Sequence, residues 1–190
     1  MRPKELLEAL SVAKRLKLNT RHCWTQPDRK ESVADHSWRI ALMAMLLENE
    51  PEFSGVDMNR VIRMCLIHDL GEAFTGDIPS FLKSADAEQT EDAVYREWVA
   101  SFPEADRAEW SALLEEMNAL RTPEAQVYKA LDKTEALISH NESDISTWLP
   151  LEYGLQKTYG QENMAASPYF GALREQIDAW TDRKIREEAP

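Results

Sequence analysis

Apolar side chains recur at steps of three and four along most of this chain, which is the spacing of residues on one face of an α-helix. We predict helices over residues 4–18, 32–50, 61–70, 84–101, 104–121, 122–141 and 169–187. Residues 19–31 lack a helical period and contain proline, so we expect a loop there, and the pattern over residues 148–170 is irregular. The sequence shows no strand alternation. It therefore predicts an all-α fold, a single-domain helical bundle over residues 1–190.

Local signals set several helix boundaries. Ser32 resembles an N-cap residue, with Asp35 three positions later, and Thr122-Pro123 is a strong helix start. Gly71 is expected to end the helix that begins at Val61. The first helical pattern carries an apolar stripe on one face, formed by Leu6, Leu7, Leu10, Ala13 and Leu16.

Two histidines and two aspartates interrupt the apolar faces of three predicted helices. They are His36 in the second helix, His68 and Asp69 at the end of the third, and Asp132 in the helix after Thr122. A buried carboxylate such as Asp132 requires an arginine, a histidine or a metal ion beside it. Two imidazoles and two carboxylates suit one divalent ion, such as Mn, Co, Fe, Ni or Zn, with positions left for water and substrate.

Each of these residues also has an ordinary structural interpretation, which the residues alone leave open. His36 is equally explained as a core histidine bonded to a backbone carbonyl. His68 suits a helix C-terminus, with Asp69 facing water. Asp132 is explained by a buried pair with an arginine.

Charge and composition restrict the partners. The formal net charge is −12, which argues against a nucleic acid polymer but allows a small phosphorylated ligand. The longest apolar run, residues 40–47, is far shorter than the roughly twenty residues of a membrane span. The N-terminus does not resemble a signal peptide, and Cys23 and Cys65 lack the spacing of a zinc or redox site. We expect a cytoplasmic protein without a membrane partner.

Four stretches resemble the HD-domain metal-dependent phosphohydrolases, in the branch of the bacterial 5'-deoxynucleotidases and their eukaryotic relatives. The stretches are RHCW at 21–24, ESVADHSWRIALMA at 31–44, IHDLGEAFTGDIPS at 67–80 and KALDKTEALI at 129–138. The resemblance covers roughly residues 5–140 and fades from about 142 onwards. It implies the all-helical HD-domain fold and a homodimer.

The resemblance also implies roles for single residues. One divalent ion would be bound by His36, His68, Asp69 and Asp132. Glu72 matches the acid that orients or deprotonates the attacking water, and Asp77 matches the residue that contacts the sugar hydroxyl. Arg21 corresponds to the arginine that binds the phosphate.

The sequence departs from the family pattern after Arg21. In some members a tryptophan follows that arginine and shapes the sugar end of the pocket, whereas here His22 follows and the tryptophan is Trp24. Either Trp24 takes the same substrate-binding role from a loop of different length, or it is a packing residue. The selectivity between deoxyribose and ribose is therefore not predicted.

We predict an enzyme that removes the 5'-phosphate from (deoxy)nucleoside monophosphates, with Glu72, Asp77 and Arg21 as its catalytic residues. Two alternatives are kept. One is an HD phosphohydrolase acting on a nucleoside triphosphate or a signalling nucleotide. The other is a non-catalytic helical module that binds a metal or a nucleotide without turnover. Glu72 and Asp77 count against the latter, because a purely structural metal site needs neither.

Overall fold

Helices form most of the computed structural model, which describes residues 1–189. They are α1 (Pro3–Ala13), α2 (Val33–Leu46), α3 (Met58–Ile67), α4 (Glu72–Thr75), α5 (Ala85–Ala100), α6 (Glu104–Ala119), α7 (Pro123–Glu142), α8 (Glu152–Thr158), α9 (Gln161–Ala165) and α10 (Pro168–Glu188). Short 3-10 segments lie at Lys14–Lys17, Pro51–Phe53 and Ile145–Thr147. The predicted all-α class is confirmed. None of the helices in the described part is long and apolar enough to cross a bilayer.

The expectation of a loop at residues 19–31 was wrong. Strands β1 (Thr20–Gln26) and β2 (Arg29–Ser32) pair there as an antiparallel hairpin with an irregular register. The hairpin packs against α7, and what it buries is largely polar, including Glu31 at 2% exposure. A strand that buries polar groups lacks the apolar alternation by which strands are recognised in a sequence.

Helices α2, α3 and α7 pack against one another and form the centre of the core. Ile40, Val61 and Leu131, one from each helix, are completely buried. The predicted caps start two of these helices. Ser32 Oγ accepts the Asp35 N–H at 3.1 Å, and Thr122 Oγ1 accepts the N–H of residue 125 at 3.2 Å. The capping chemistry thereby fixes where the two helices that carry His36 and Asp132 begin.

The leucines of the apolar stripe of α1 are exposed, while Ala13 packs against the core. Leu6, Leu7 and Leu10 are 49%, 68% and 54% exposed, and no residue of α1 is buried. Of the predicted stripe, Leu16 is buried, and it lies in the 3-10 segment that follows. Periodicity shows that a helix has an apolar face, but it does not show what covers that face.

Residues 145–189, which follow α7 in the chain, pack onto that helix. Phe170 and Ile177 of α10 are buried, and Arg174 donates from Nη1 to the Tyr159 carbonyl at 2.6 Å. Gly160 starts α9 with a φ of +70°, and a Cβ at this position would lie 2.6 Å from the Cβ of Lys133. The close approach of Gly160 fixes α9 against the helix that carries Asp132.

Candidate metal centre and substrate cavity

The four predicted metal ligands meet at one point where α2, α3 and α7 pack together. His36 lies in the first turn of α2, His68 caps the end of α3 with Asp69 next to it, and Asp132 lies in the middle of α7. His36 Nε2 is 3.3 Å from Asp132 Oδ1 and 3.9 Å from Asp69 Oδ2. His68 Nε2 is 2.9 Å from Asp69 Oδ2 and 3.9 Å from Asp132 Oδ1. Ligand atoms of His36, His68 and Asp69 lie within 4.8 Å of one another, and Asp132 Oδ1 faces both imidazoles, so the four side chains surround one candidate ion site.

The unpaired nitrogens of the two histidines fit a metal ion. Both Nε2 atoms are buried and lack a hydrogen bond within the described residues, although carboxylate oxygens lie nearby. The Nδ1 atoms are bonded elsewhere: that of His36 to Glu135, and that of His68 to the Cys65 carbonyl at 2.9 Å. A proton held on Nδ1 leaves a lone pair on Nε2, and a buried lone pair without a donor is suited to a cation.

Two lysines of α7 flank Asp132, and neither was identified from the sequence. Lys129 Nζ lies 2.8 Å and Lys133 Nζ 3.6 Å from Asp132 Oδ2. Burial alone would raise the pKa of Asp132, but these two ammonium groups hold it well below its usual range. Burial would likewise raise the pKa of Asp69, and His68 lowers it. Both aspartates are therefore ionised, which is the form that binds a metal.

A buried hydrogen-bond network contacts His36 on the Nδ1 side of its ring. Arg21 Nη1 lies 2.6 Å from Glu31 Oε2 and 3.0 Å from Glu135 Oε2, and Ser139 Oγ is 2.7 Å from each glutamate. Glu135 is completely buried. Burial would raise its pKa, but His36 and Arg21 hold it below the usual range. The ionised Glu135 thereby fixes the orientation of the His36 ring.

Sequence reasoning missed Glu31 and Glu135. Glu135 lies on the apolar stripe of α7, as Asp132 does. This position is the feature of the sequence that could have identified Glu135 as a buried functional acid. Glu31 lies in the segment predicted to be a loop, where burial is not expected. Its hydrogen-bond donor Ser139 is 108 residues away in the chain.

Arg21 and Trp24 are placed differently by the hairpin. Arg21 lines the cavity that opens beside His36, Asp69 and Asp132, and it contacts Glu31 and Glu135 through Nη1. Trp24 does not belong to the cavity wall. Its backbone N–H donates to Ser143 Oγ at 2.9 Å, and its ring lies 5.3 Å from the Lys30 ammonium. In this structure the Trp24 ring therefore contacts the hairpin and not the cavity wall.

Glu72 and Asp77 face the cavity from α4 and the turn that follows it. Glu72 is 5% exposed, and its Oε2 has no hydrogen-bond partner in the described chain. Burial, together with the negative charges of Asp69 and Asp77, raises the pKa of Glu72 to about 10. Burial also raises the pKa of Asp77. Glu72 is thus a buried carboxyl group with a raised pKa beside the candidate metal ligands.

Two glycines shape the turn that presents these acids. Contrary to the expectation, Gly71 does not end α3. That helix already ends at Ile67, and Gly71 has an ordinary helical conformation. A glycine is needed there because a Cβ would lie 2.8 Å from Glu91 Cγ in α5. Gly76 ends α4 with a φ of +78° and a ψ of 163°, which favours glycine. The chain then returns to the cavity at Asp77.

A cavity of about 250 Å³ opens from the metal centre. One end is formed by His36, Asp69, Glu72, Asp77 and Asp132. Cationic groups stand in its wall, namely Arg21, Lys83, Lys129 and Lys133. The site therefore combines a cluster of acids that requires a cation with basic groups that suit an anion.

Comparison with known proteins agrees with this chemistry. Residues 13–174 match the family described as the HD domain, and the chain belongs to that family. Its relatives include the 5'-deoxynucleotidase HDDC2 of Xenopus laevis, 33% identical over 139 residues, 71% of this chain and 67% of the relative. The HDDC2 protein of Dictyostelium discoideum is 29% identical over 192 residues, 94% of this chain and 98% of the relative.

A solved structure also resembles the whole chain. A protein from Magnetospirillum magnetotacticum, described as a predicted metal-dependent phosphohydrolase, superposes with a TM-score of 0.77 at 29% identity. The match covers 95% of this chain and 94% of that protein. The family resemblance predicted from the four sequence stretches is confirmed.

Proposed function

We propose that this protein is a metal-dependent phosphohydrolase that removes the 5'-phosphate from (deoxy)nucleoside monophosphates. One observation carries the proposal: two buried, unpaired Nε2 atoms and two ionised aspartates converge at the end of a cavity whose wall holds four basic side chains. Relatives named 5'-deoxynucleotidase support the choice of substrate.

In this proposal one divalent ion is held by His36, His68, Asp69 and Asp132. The mixed nitrogen and oxygen ligands suit Mn, Co, Fe, Ni or Zn. When bound, such an ion supplies positive charge that polarises a phosphoryl oxygen and lowers the pKa of a nearby water.

The side chains of the protein perform the remaining steps. Glu72 accepts the proton of the attacking water in its ionised form. Burial beside Asp69 and Asp77 raises its pKa, and the positive charge of a bound ion would lower that pKa toward neutral pH. The guanidinium of Arg21, held in place through Nη1 by two glutamates, binds the phosphate with its remaining nitrogens. Lys133, which Tyr159 contacts at 2.8 Å, adds positive charge near the metal centre. Asp77 contacts the sugar hydroxyl.

The test is phosphate release after metal removal and replacement. Chelation is expected to abolish hydrolysis of nucleoside monophosphates, and Mn or Co is expected to restore it. Glu72→Gln should retain metal binding and lose at least about a hundredfold in kcat, a typical loss when a general base is removed. The exposed Glu162→Gln is the matched control. Binding of nucleotide without phosphate release would instead favour the non-catalytic module, and turnover of triphosphates alone would favour the other phosphohydrolase.

We also propose that the chain acts as a homodimer. The outer face of α2 carries an apolar stripe opposite His36, with Trp38 62%, Met45 57% and Leu46 72% exposed. Leu6, Leu7 and Leu10 of α1 add further exposed apolar surface. An apolar face of this kind suits a second copy of the chain better than an acidic or basic partner.

Three further proposals concern the whole chain. We propose that residues 1–190 act as a single HD-type domain. The segment after about residue 142, which was expected to be less family-like, lies within the matched family range up to residue 174 and completes the cavity wall. The net charge of −12 argues against a nucleic acid polymer as partner. Cys23 and Cys65 are buried free thiols, which suits a reducing cytoplasm, and no membrane partner is proposed.

A further inference from the structure

The end of the cavity away from the metal centre holds a second polar cluster, which the proposed mechanism does not use. It consists of His22, His140 and Glu152, and we call it the distal cluster. Glu152 Oε1 lies 3.0 Å from His22 Nε2 and 3.4 Å from His140 Nε2. The cluster joins the hairpin, α7 and α8 at the cavity wall.

Glu152 is held firmly in this cluster as an acceptor. Its side chain is 4% exposed, and Oε2 accepts the Leu149 N–H at 2.6 Å. Oε1 faces His22 and has a second lone pair for another donor. Burial would raise the pKa of Glu152, but His140 and the Leu149 N–H hold it below its usual range. An ionised carboxylate accepts hydrogen bonds and donates none.

His140 indicates that the distal cluster is short of a partner. The residue is 8% exposed, and within residues 1–189 neither of its ring nitrogens makes a hydrogen bond. The Trp148 ring lies against it, with 4.1 Å between ring centroids. Buried polar groups are normally bonded, so an imidazole in this state suits a cavity that receives a polar ligand.

The spacing along α7 relates the distal cluster to the metal centre. Asp132, Ala136 and His140 follow at steps of four, so they share one face of α7 and all line the cavity. Eight residues of α-helix rise about 12 Å, which is close to the length of a nucleoside monophosphate from phosphate to base edge. Phe81 and Leu155 supply apolar walls suited to the faces of a base.

We propose that the distal cluster binds the nucleobase, and that Glu152 accepts a hydrogen bond from the exocyclic amino group of adenine, cytosine or guanine. The inference rests on the proposed function, because that function places the phosphate at the metal centre. Thymine and uracil present carbonyl oxygens beside their ring N–H, and a carboxylate repels those oxygens. The segment after residue 142 therefore determines base selectivity.

The test compares the 5'-monophosphates of deoxycytidine and deoxyuridine, which differ in the amino or carbonyl group of the base. In the wild type, kcat/KM for the cytosine compound is expected to be about tenfold higher, because hydrogen bonds to ionised groups are strong. In Glu152→Gln the amide oxygen keeps the Leu149 N–H and the NH2 group faces the base. The ratio should then fall to about one or reverse, whereas Glu162→Gln on α9 leaves it unchanged.

Turnover of 2-deoxyribose 5-phosphate, which has no base, separates base binding from chemistry. It should be the same in the wild type and in Glu152→Gln. Loss of this turnover in the variant would overturn the inference, since Glu152 would then serve the chemistry or the fold. A ratio near one in the wild type would overturn it without any variant. If no compound releases phosphate, the proposed function fails instead, and the same ratio in calorimetric Kd values decides the inference.

Discussion

His36 makes different contacts with its two ring nitrogens, and this asymmetry defines the candidate site at the scale of single residues. Nδ1 is bonded to the buried Glu135, while Nε2 is directed toward Asp69 and Asp132 without a hydrogen bond. The structure thus replaces the carbonyl partner of an ordinary core histidine with a carboxylate. A carboxylate behind the ring makes the imidazole a better metal ligand.

Glu135→Gln is therefore expected to weaken metal binding by about 10- to 100-fold, because the amide is a weaker acceptor for the Nδ1 proton. Calorimetric titration of the metal-free protein with Mn measures the change. Glu142→Gln, an exposed position on the same helix, is the control and should bind as the wild type does. Equal Mn affinity in Glu135→Gln would show that the contact does not support the site.

Cys23 gives a prediction for alkaline pH. Burial raises the pKa of its thiol to about 12, whereas a thiol in an unfolded chain ionises near 8.5. Between these values the unfolded chain has lost the proton and the folded protein has kept it. The free energy of unfolding contributed by Cys23 is thus intact below about pH 8.5 and falls as the pH rises, by at most about 1.4 kcal/mol per pH unit.

Urea unfolding of the wild type and of Cys23→Ala between pH 8 and 10.5 checks this effect. Both proteins also contain other groups that titrate in this range, so the difference between their slopes is the quantity that matters. The wild type should lose stability more steeply with pH than Cys23→Ala. Parallel slopes would mean that the thiol of Cys23 ionises in the folded protein as easily as in the unfolded chain.

At the scale of elements, helix starts were predictable and the hairpin was not. Ser32 and Thr122 act through bonds to backbone N–H groups three residues away, so their effect is visible in a short stretch of sequence. The hairpin depends on Arg21 meeting Glu135, which is 114 residues distant. The same difference applies to the residues of the site. An acid within an apolar stripe can be recognised in the sequence, whereas Lys129 and Lys133 cannot, because lysine is common on protein surfaces.

Gly76 carries the prediction at this scale. Gly76→Ala should destabilise the protein by about 1–3 kcal/mol, because residues with a side chain rarely adopt its positive φ. It should also lower activity, since the turn presents Asp77. Gly55→Ala is the control, because no atom would lie within 4 Å of the new Cβ and its φ is not positive. Equal midpoints of chemical unfolding for the two variants would contradict the argument.

For the whole molecule, the outer faces of α1 and α2 are the main surface that the core leaves uncovered. Sequence periodicity identifies the apolar stripe of α1 but not what covers it, because an apolar face looks the same whether a neighbouring element or a second chain covers it. The exposure of Leu7 and Leu46, 68% and 72%, supports the proposed homodimer.

Met45→Glu is expected to convert the dimer to a monomer, because it places a charge within the exposed apolar stripe of α2. Sedimentation equilibrium should give twice the chain mass of 21.8 kDa for the wild type and the single mass for the variant. Leu82→Glu, an exposed leucine outside α1 and α2, should remain dimeric. A wild type that sediments as a monomer would refute the proposal.

The contacts between β1 and the second half of the chain have a consequence for biosynthesis. The Trp24 N–H is bonded to Ser143, and His22 faces Glu152, so the hairpin has no complete binding surface until residues far downstream are present. A nascent chain on the ribosome cannot assemble the proposed ion site before Asp132 has emerged. It cannot close the wall of the cavity before α8 has followed, so catalytic competence is acquired late in translation.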